Sequence, residues 1–228
     1  MSLEFDEFVL AASTADLSEE PAAREHADAI EFRMDLTDEP LEALENYDGE
    51  LPILATNRAA WEGGEWDGDD EKRLEVLAEA TGFDAVGAID VELEAIGDDE
   101  IGTDAVLETA RERDVSIIVS AHDFEGTPPR GEMVSTLTEA GKYGDVAKLA
   151  VTAESKSDTI ALLSATEQLT YHGDTVATMA MGEAGSHTRA VAPVYGSKIG
   201  YAPVDAADAT APGQYDLETL SELVTALN

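Results

Sequence analysis

Lys148 stands in the middle of an apolar run. In VAKLAVTA, residues 146–153, it is flanked by Val146, Ala147, Leu149, Ala150 and Val151. The chain has five lysines, and the other four (Lys72, Lys142, Lys156 and Lys198) lie in polar or glycine-flanked stretches. A primary amine kept among apolar neighbours is a nucleophile once its proton has left, and with a ketone it forms an imine. An imine draws electrons and makes the adjacent carbon acidic. His122, at the end of the apolar run VSIIVSAHD, residues 115–123, is suited to take that proton, because imidazole serves as base and acid near neutrality. Arg33 and Arg58 fall at the ends of strand-like runs, and Arg189 follows the glycine-rich MGEAGSHT. Arginine grips a carboxylate with two parallel N–H donors. The set reads as imine-forming lyase or aldolase chemistry on a small keto acid.

Such chemistry needs elements that gather residues 31 to 189 in one place. Strand-like runs cover residues 8–13, 29–35, 51–58, 85–93, 115–123, 146–153 and 175–182, with a weaker one within 194–202. Helical segments separate them. Residues 69–82 put Leu74, Leu77 and Ala78 on one face; 103–114 opens on Thr103 as a cap; 128–141 has prolines first and glycine last, the expected asymmetry. Residues 155–169 and 216–228 are the clearest helices. Strands alternating with helices imply parallel pairing. About eight such units in 228 residues imply an α/β fold, a single (β/α)8 TIM barrel occupying residues 1–228. A doubly wound open sheet is the alternative.

Strand parity then sorts the charges, because side chains two apart share a face. In AIEFRMD, residues 29–35, Ile30, Phe32 and Met34 share one side and Glu31, Arg33 and Asp35 the other. In AVGAIDVEL, residues 85–93, Asp90 and Glu92 fall together. The outward face of a barrel strand meets helices and is apolar, so the charged sides point inward. Buried charges are unfavourable unless paired. Many of them at one mouth make a polar site, at the C-terminal ends of the strands.

Fifty acidic against thirteen basic residues give a net charge of -37. Phosphates and anionic lipid surfaces would be repelled, so neither nucleic acid nor membrane is an expected partner. With 43% hydrophobic residues in periodic runs, the charge reads as a solvated surface rather than disorder. Scarce lysine beside abundant Asp and Glu suits molar salt, where self-repulsion is screened. The absence of cysteine rules out disulfides and thiolate metal sites. The acidic start MSLEFDEF has no signal-peptide character, so a cytoplasmic address is expected.

Other readings of the same residues stay open. A class I aldolase would share the lysine, the imine and the barrel. A metal-dependent barrel enzyme would use Glu31, Asp35, Asp90, Glu92 and His122 as ligands. A non-catalytic barrel would only bind. Lys148 could be an interior ion-pair lysine, and Glu31, Arg33 and Asp35 a structural salt-bridge layer.

The ordered set EFRMD, ILATNRAAWEGG, IDVEL, SAHDFEGTP, VAKLAVTA, MGEAGSHTR, YGSKIGYA and TAPGQ, over roughly residues 8–225, resembles the type I 3-dehydroquinate dehydratases. The resemblance implies that Lys148 forms an imine with the C3 ketone of 3-dehydroquinate. His122 would remove the C2 proton and protonate the departing C1 hydroxyl, a syn loss of water giving 3-dehydroshikimate. Glu62 would orient His122. Arg189 would clamp the substrate carboxylate, and Glu31, Arg33 and Arg58 would hold ring hydroxyls. Gln214 would close over the substrate in a lid shared with Thr210, where the family has serine. Thr188 and Tyr195 likewise stand where serine and phenylalanine are usual. The family uses no metal or organic cofactor and is typically a homodimer.

Overall fold

A computed structural model of the chain describes residues 3–66, 68–96, 102–204 and 213–227. Eight strands run through it: β1 Val9–Thr14, β2 Ala29–Arg33, β3 Ile53–Thr56, β4 Val86–Glu92, β5 Ser116–Asp123, β6 Val146–Thr152, β7 Val176–Met181 and β8 Ile199–Pro203. All paired neighbours are parallel, in the order β7-β6-β5-β4-β3-β2-β1-β8. Between β7 and β8 the Lys198 N–H donates to the Val176 carbonyl at 2.8 Å, and the Thr178 N–H to Ser197 Oγ at 2.9 Å. The sheet thus curls into a nearly closed (β/α)8 barrel, and the open-sheet alternative falls.

Inward and outward faces differ as parity requires. Val9, Ala11, Ala29, Leu54, Ala88, Ile118 and Val146 fill the barrel with apolar side chains. Leu3 and Phe5 join this cluster from below; the Leu3 N–H donates to the Gly87 carbonyl at 3.0 Å, and Ser116 Oγ to the Leu3 carbonyl at 2.9 Å. Outward, Ile30, Phe32, Ile89, Val91, Ile117, Leu149 and Val151 pack with Leu74, Leu77, Leu107, Leu137 and Leu162 of the surrounding helices. The longer helices are Asp70–Ala80, Thr103–Glu112, Arg130–Ala140, Lys156–His172 and Leu217–Leu227. Among the described residues no helix is long and apolar enough to cross a membrane.

Several boundaries move. Thr103 is not a cap: Gly102 holds that position, and Thr103 Oγ donates to the Ala95 carbonyl at 2.8 Å. The helix expected over 155–169 runs on to His172, started by a capping box between Ser155 and Asp158 that secures its first free N–H groups. The weak eighth strand begins only at Ile199, because residues Ala192–Tyr195 form a 3₁₀ turn. In AIEFRMD the strand stops at Arg33 and a 3₁₀ turn takes Met34–Leu36. Asp35 therefore leaves the inward row that parity assigned to it.

Candidate active site

The charged residues converge where the strands end. Glu31, Arg33, Arg58, Glu62, His122, Lys148, Arg189 and Gln214 all line one cavity at the mouth of the barrel. Apolar wall comes from Ala150, Phe124, Met179 and Met181. Thr210 lies outside the described residues.

Lys148 is buried on the inner face of β6, paired in register with Ser120 of β5 and Ala177 of β7. Its Nζ donates to Asp90 Oδ2 at 2.8 Å and stands 4.0 Å from Glu31 Oε1. The ring of Tyr201 lies beneath it, 4.2 Å from Nζ to the ring centre, a cation–π contact in a water-poor setting. Glu31 is held in turn by Ser13 Oγ at 2.5 Å and Thr56 Oγ1 at 3.2 Å.

Asp90 is shared. Its Oδ1 accepts from Arg58 Nη2 at 2.8 Å and from Ser120 Oγ at 2.6 Å. Arg58 Nη1 also donates to Glu92 Oε1 at 3.0 Å and Ser120 Oγ at 2.8 Å. Burial works to raise the Asp90 carboxyl, but Arg58 and Lys148 outweigh it and hold Asp90 well below the usual range. Burial likewise opposes the charge on Arg58, and Asp90 and Glu92 more than restore it. The lysine thus rests on a permanently ionised carboxylate, itself braced by an arginine.

His122 sits one inward step beyond Ser120 on β5. Its Nδ1 lies 2.7 Å from Glu62 Oε1, which leaves Nε2 as the nitrogen free for substrate. Phe124 stacks on the imidazole at 6.0 Å between ring centres. Burial, reinforced by Arg58 and Lys148, lowers His122 well below the ordinary imidazole value. Burial also pushes Glu62 up to about 8, with Glu92 and Asp90 adding to it against Arg58. Glu62 is delivered by the 3₁₀ turn Ala60–Glu62, which ends on Gly63 at φ 80°. A Cβ on Gly64 would stand 2.1 Å from the Arg58 carbonyl oxygen, so the turn needs glycine there to close against Arg58.

Arg189 is buried and its Nε has no partner among the described residues. Burial pulls it down to about 10, opposed only by the charge of Glu31. A buried guanidinium facing a cavity, with a donor unanswered, fits an incoming carboxylate. Arg33 is not answered in that way: it makes a two-pronged pair with Asp35, at 2.9 and 2.7 Å. Asp35 is thus a rim partner of Arg33 and no ligand pointing inward.

Among the described residues no three His, Asp or Glu side chains converge as a metal-ligand group. Asp90 and Glu92 turn their oxygens on arginine, lysine and serine instead. Sequence reasoning passed over Tyr201 and Arg73. Tyr201 sat in the weakest strand signal. Arg73 was visible as an arginine on the apolar face of a helix, four residues before Leu77 and seven before Ala80.

Residues 9–228 match the family described as type I 3-dehydroquinase. A 3-dehydroquinate dehydratase of Haloarcula marismortui is 56% identical over 225 residues, covering 97% of each chain. One of Halobacterium salinarum is 52% identical over 227 residues, 99% of this chain and 100% of that one. These halophilic relatives fit the acidic composition. The crystal structure of 3-dehydroquinate dehydratase from Geobacillus kaustophilus aligns at a TM-score of 0.84 and 28% identity, over 97% of this chain and 91% of the other. The type I enzyme of Clostridium difficile, with covalently modified comenic acid, gives a TM-score of 0.84 at 28% identity, over 97% and 92%. With the model family, the relatives and the barrel in agreement, the chain belongs to the type I 3-dehydroquinases.

Proposed function

We infer that the chain dehydrates 3-dehydroquinate to 3-dehydroshikimate, a step of the shikimate pathway, through an imine on Lys148. The observation that carries the reading is the placement of Lys148 at the cavity wall, with His122 on the neighbouring strand and its partner Glu62 brought to it by the turn after β3. The covalent ligand in the Clostridium difficile relative is consistent with a nucleophile in this family's site.

Each step has a residue. Lys148, as the free amine, adds to the C3 carbonyl; one proton is taken up, one water leaves, and the C=N bond forms as an iminium. His122 Nε2 takes a proton from C2, the electron pair moves into the C2–C3 bond and the C=N pair onto nitrogen, giving a neutral enamine. The enamine expels the C1 hydroxyl, which departs as water with the proton His122 returns, and leaves a conjugated iminium. A water then hydrolyses that iminium, restoring the amine and releasing the proton taken up at the start, so one water is lost overall. Arg189 holds the carboxylate, and Glu31, Arg33 and Arg58 the ring hydroxyls. The resemblance assigns Gln214, together with Thr210, to a lid over the ligand. The resemblance also supports a homodimer, one domain over residues 1–228 and a cytoplasmic setting.

His122 is a base only while Nε2 carries a lone pair. That form has Nδ1–H donating to an ionised Glu62. With Glu62 raised to about 8, the proton shared by the pair is lost as pH rises, and kcat/KM should climb toward pH 8. In Glu62→Gln the amide oxygen still accepts from Nδ1–H and there is no carboxylate to titrate. The acid limb should move to lower pH, and the plateau should fall roughly tenfold because the imidazolium formed in the reaction loses its counter-charge. A wild-type profile whose acid limb is unmoved by this substitution would count against the pair.

Incubation with 3-dehydroquinate tests the function directly. A rising absorbance from the conjugated enone acid is the expected result. Carbon–carbon cleavage products would favour the aldolase reading, and loss of activity with a chelator the metal-dependent one.

A further inference from the structure

Arg73 is one of the largest fully buried side chains in the protein, yet it comes from the first turn of helix Asp70–Ala80, outside the barrel, and does not line the cavity. Its Nη1 donates to Glu92 Oε2 at 2.9 Å and to the Asn57 carbonyl at 2.7 Å. Its Nε donates to Asp70 Oδ1 at 2.7 Å. Asn57 answers, its Nδ2 donating to the Arg73 carbonyl at 3.0 Å. Glu92 uses its other oxygen, Oε1, to accept from Arg58 Nη1 and the Ala59 N–H, both at 3.0 Å. Asp70 reaches the same segment again through Trp61 Nε1, at 2.8 Å.

Directly, or through Glu92 and Asp70, these bonds converge on residues 57–61. β3 stops at Thr56, and beyond it the ladder gives way to a single bridge between Ala59 and Trp66 and to short-range turn bonds. Yet residues 57–62 carry Arg58, which braces the Asp90 partner of Lys148, and Glu62, which orients His122. Fasteners from outside the segment add to that slight local hold. Arg73 also matches the second oxygen of a fully buried carboxylate that would otherwise stand half unpaired. Its remaining nitrogen, Nη2, is buried with no partner among the described residues. That is unfavourable in itself, so the residue is not there for its own burial.

We propose that Arg73 is a positioning residue for the reaction at Lys148: it neutralises Glu92 and clasps Asn57, and so holds Arg58 and Glu62 against the lysine and the histidine. This rests on the imine reading of the site. A lysine at the position would keep the charge but not the fork that spans Glu92, Asn57 and Asp70 together.

The test uses the full chain in molar salt, as wild type, Arg73→Met and Arg73→Lys. Folding is followed by circular dichroism. Competent sites are counted by borohydride trapping with 3-dehydroquinate, so that kcat is expressed per trappable site. Misplacing reacting groups by about 1 Å from a distance lowers turnover up to roughly 100-fold. Arg73→Met should therefore lose about 10- to 100-fold in kcat per site. KM should change less than about threefold, and Arg73→Lys should fall between. Fewer sites with wild-type kcat per site in both variants means a purely structural role and overturns the proposal. If Arg73→Met fails to fold, Arg73→Lys decides: a clear drop in kcat per site supports the clasp, and wild-type turnover overturns it. Wild type that traps at no site, or at another lysine, overturns the imine reading first and this inference with it.

Discussion

Lys148→Ala abolishes turnover, with kcat expected to fall on the order of 10⁶-fold, the scale of removing a covalent nucleophile. Among the described residues no second amine is placed to substitute. Lys72 and Lys142 pair with Glu75 and Glu139 on the surface, Lys156 is exposed at the start of its helix, and Lys198 Nζ donates to the Asp6 carbonyl; none of these lines the cavity. The cavity itself should survive. Asp90 keeps Arg58 and Ser120 on Oδ1 and loses only the donor to Oδ2. Removing one partner of a buried ion pair costs about 3–5 kcal/mol, which lowers Tm by roughly 10 °C in a chain of this size. Steady-state assay beside a thermal melt separates the two effects. A folded Lys148→Ala protein that keeps more than about a thousandth of wild-type kcat would rule the imine out, because every turnover is assigned to the covalent intermediate.

His122→Ala separates bond formation from proton transfer. The imine needs Lys148 and the ketone but not the imidazole, so borohydride should still capture an adduct on this variant. Turnover should fall about 10²- to 10⁴-fold, the usual contribution of a positioned base and acid. The structural effect is mild. His122 touches Glu62 and Phe124 at the half-open mouth and takes no part in the Arg58–Asp90–Glu92 cluster. An alanine variant with near-normal turnover would pass the proton-transfer role to another group. Loss of the adduct as well as turnover would mean that His122 also serves imine formation.

Both assays belong in molar salt. At a net charge of -37 the folded chain repels itself, and a Debye length of about 3 Å at 1 M screens most of that repulsion. In dilute buffer an unfolded protein would pass for an inactive one.

The site was largely legible because a barrel strand has only two faces. Glu31, Asp90, Glu92, His122 and Lys148 all lie where alternation places them, and apolar outer faces made the charged faces conspicuous. Asp35 broke the rule because the strand before it ends at Arg33, and a 3₁₀ turn rotates the next side chain to the rim. Alternation carries no signal for where a strand stops. It also says nothing of who pairs with whom. Asp90 and Glu92 could be assigned to a buried network, but their division between Lys148, Arg58 and Arg73 depends on barrel shear and on a helix packed from outside. Tyr201 was obscured for a local reason. The glycine-rich stretch before it has a turn and a strand in quick succession, and periodicity over so few residues separates them poorly.

One measurement bears most directly on the central claim. The protein is incubated with 3-dehydroquinate in molar salt, reduced with borohydride, digested, and the modified peptide located by mass. A single adduct on the peptide bearing Lys148, absent from Lys148→Ala, is the predicted result. An adduct on any other lysine, or full turnover with none, contradicts it.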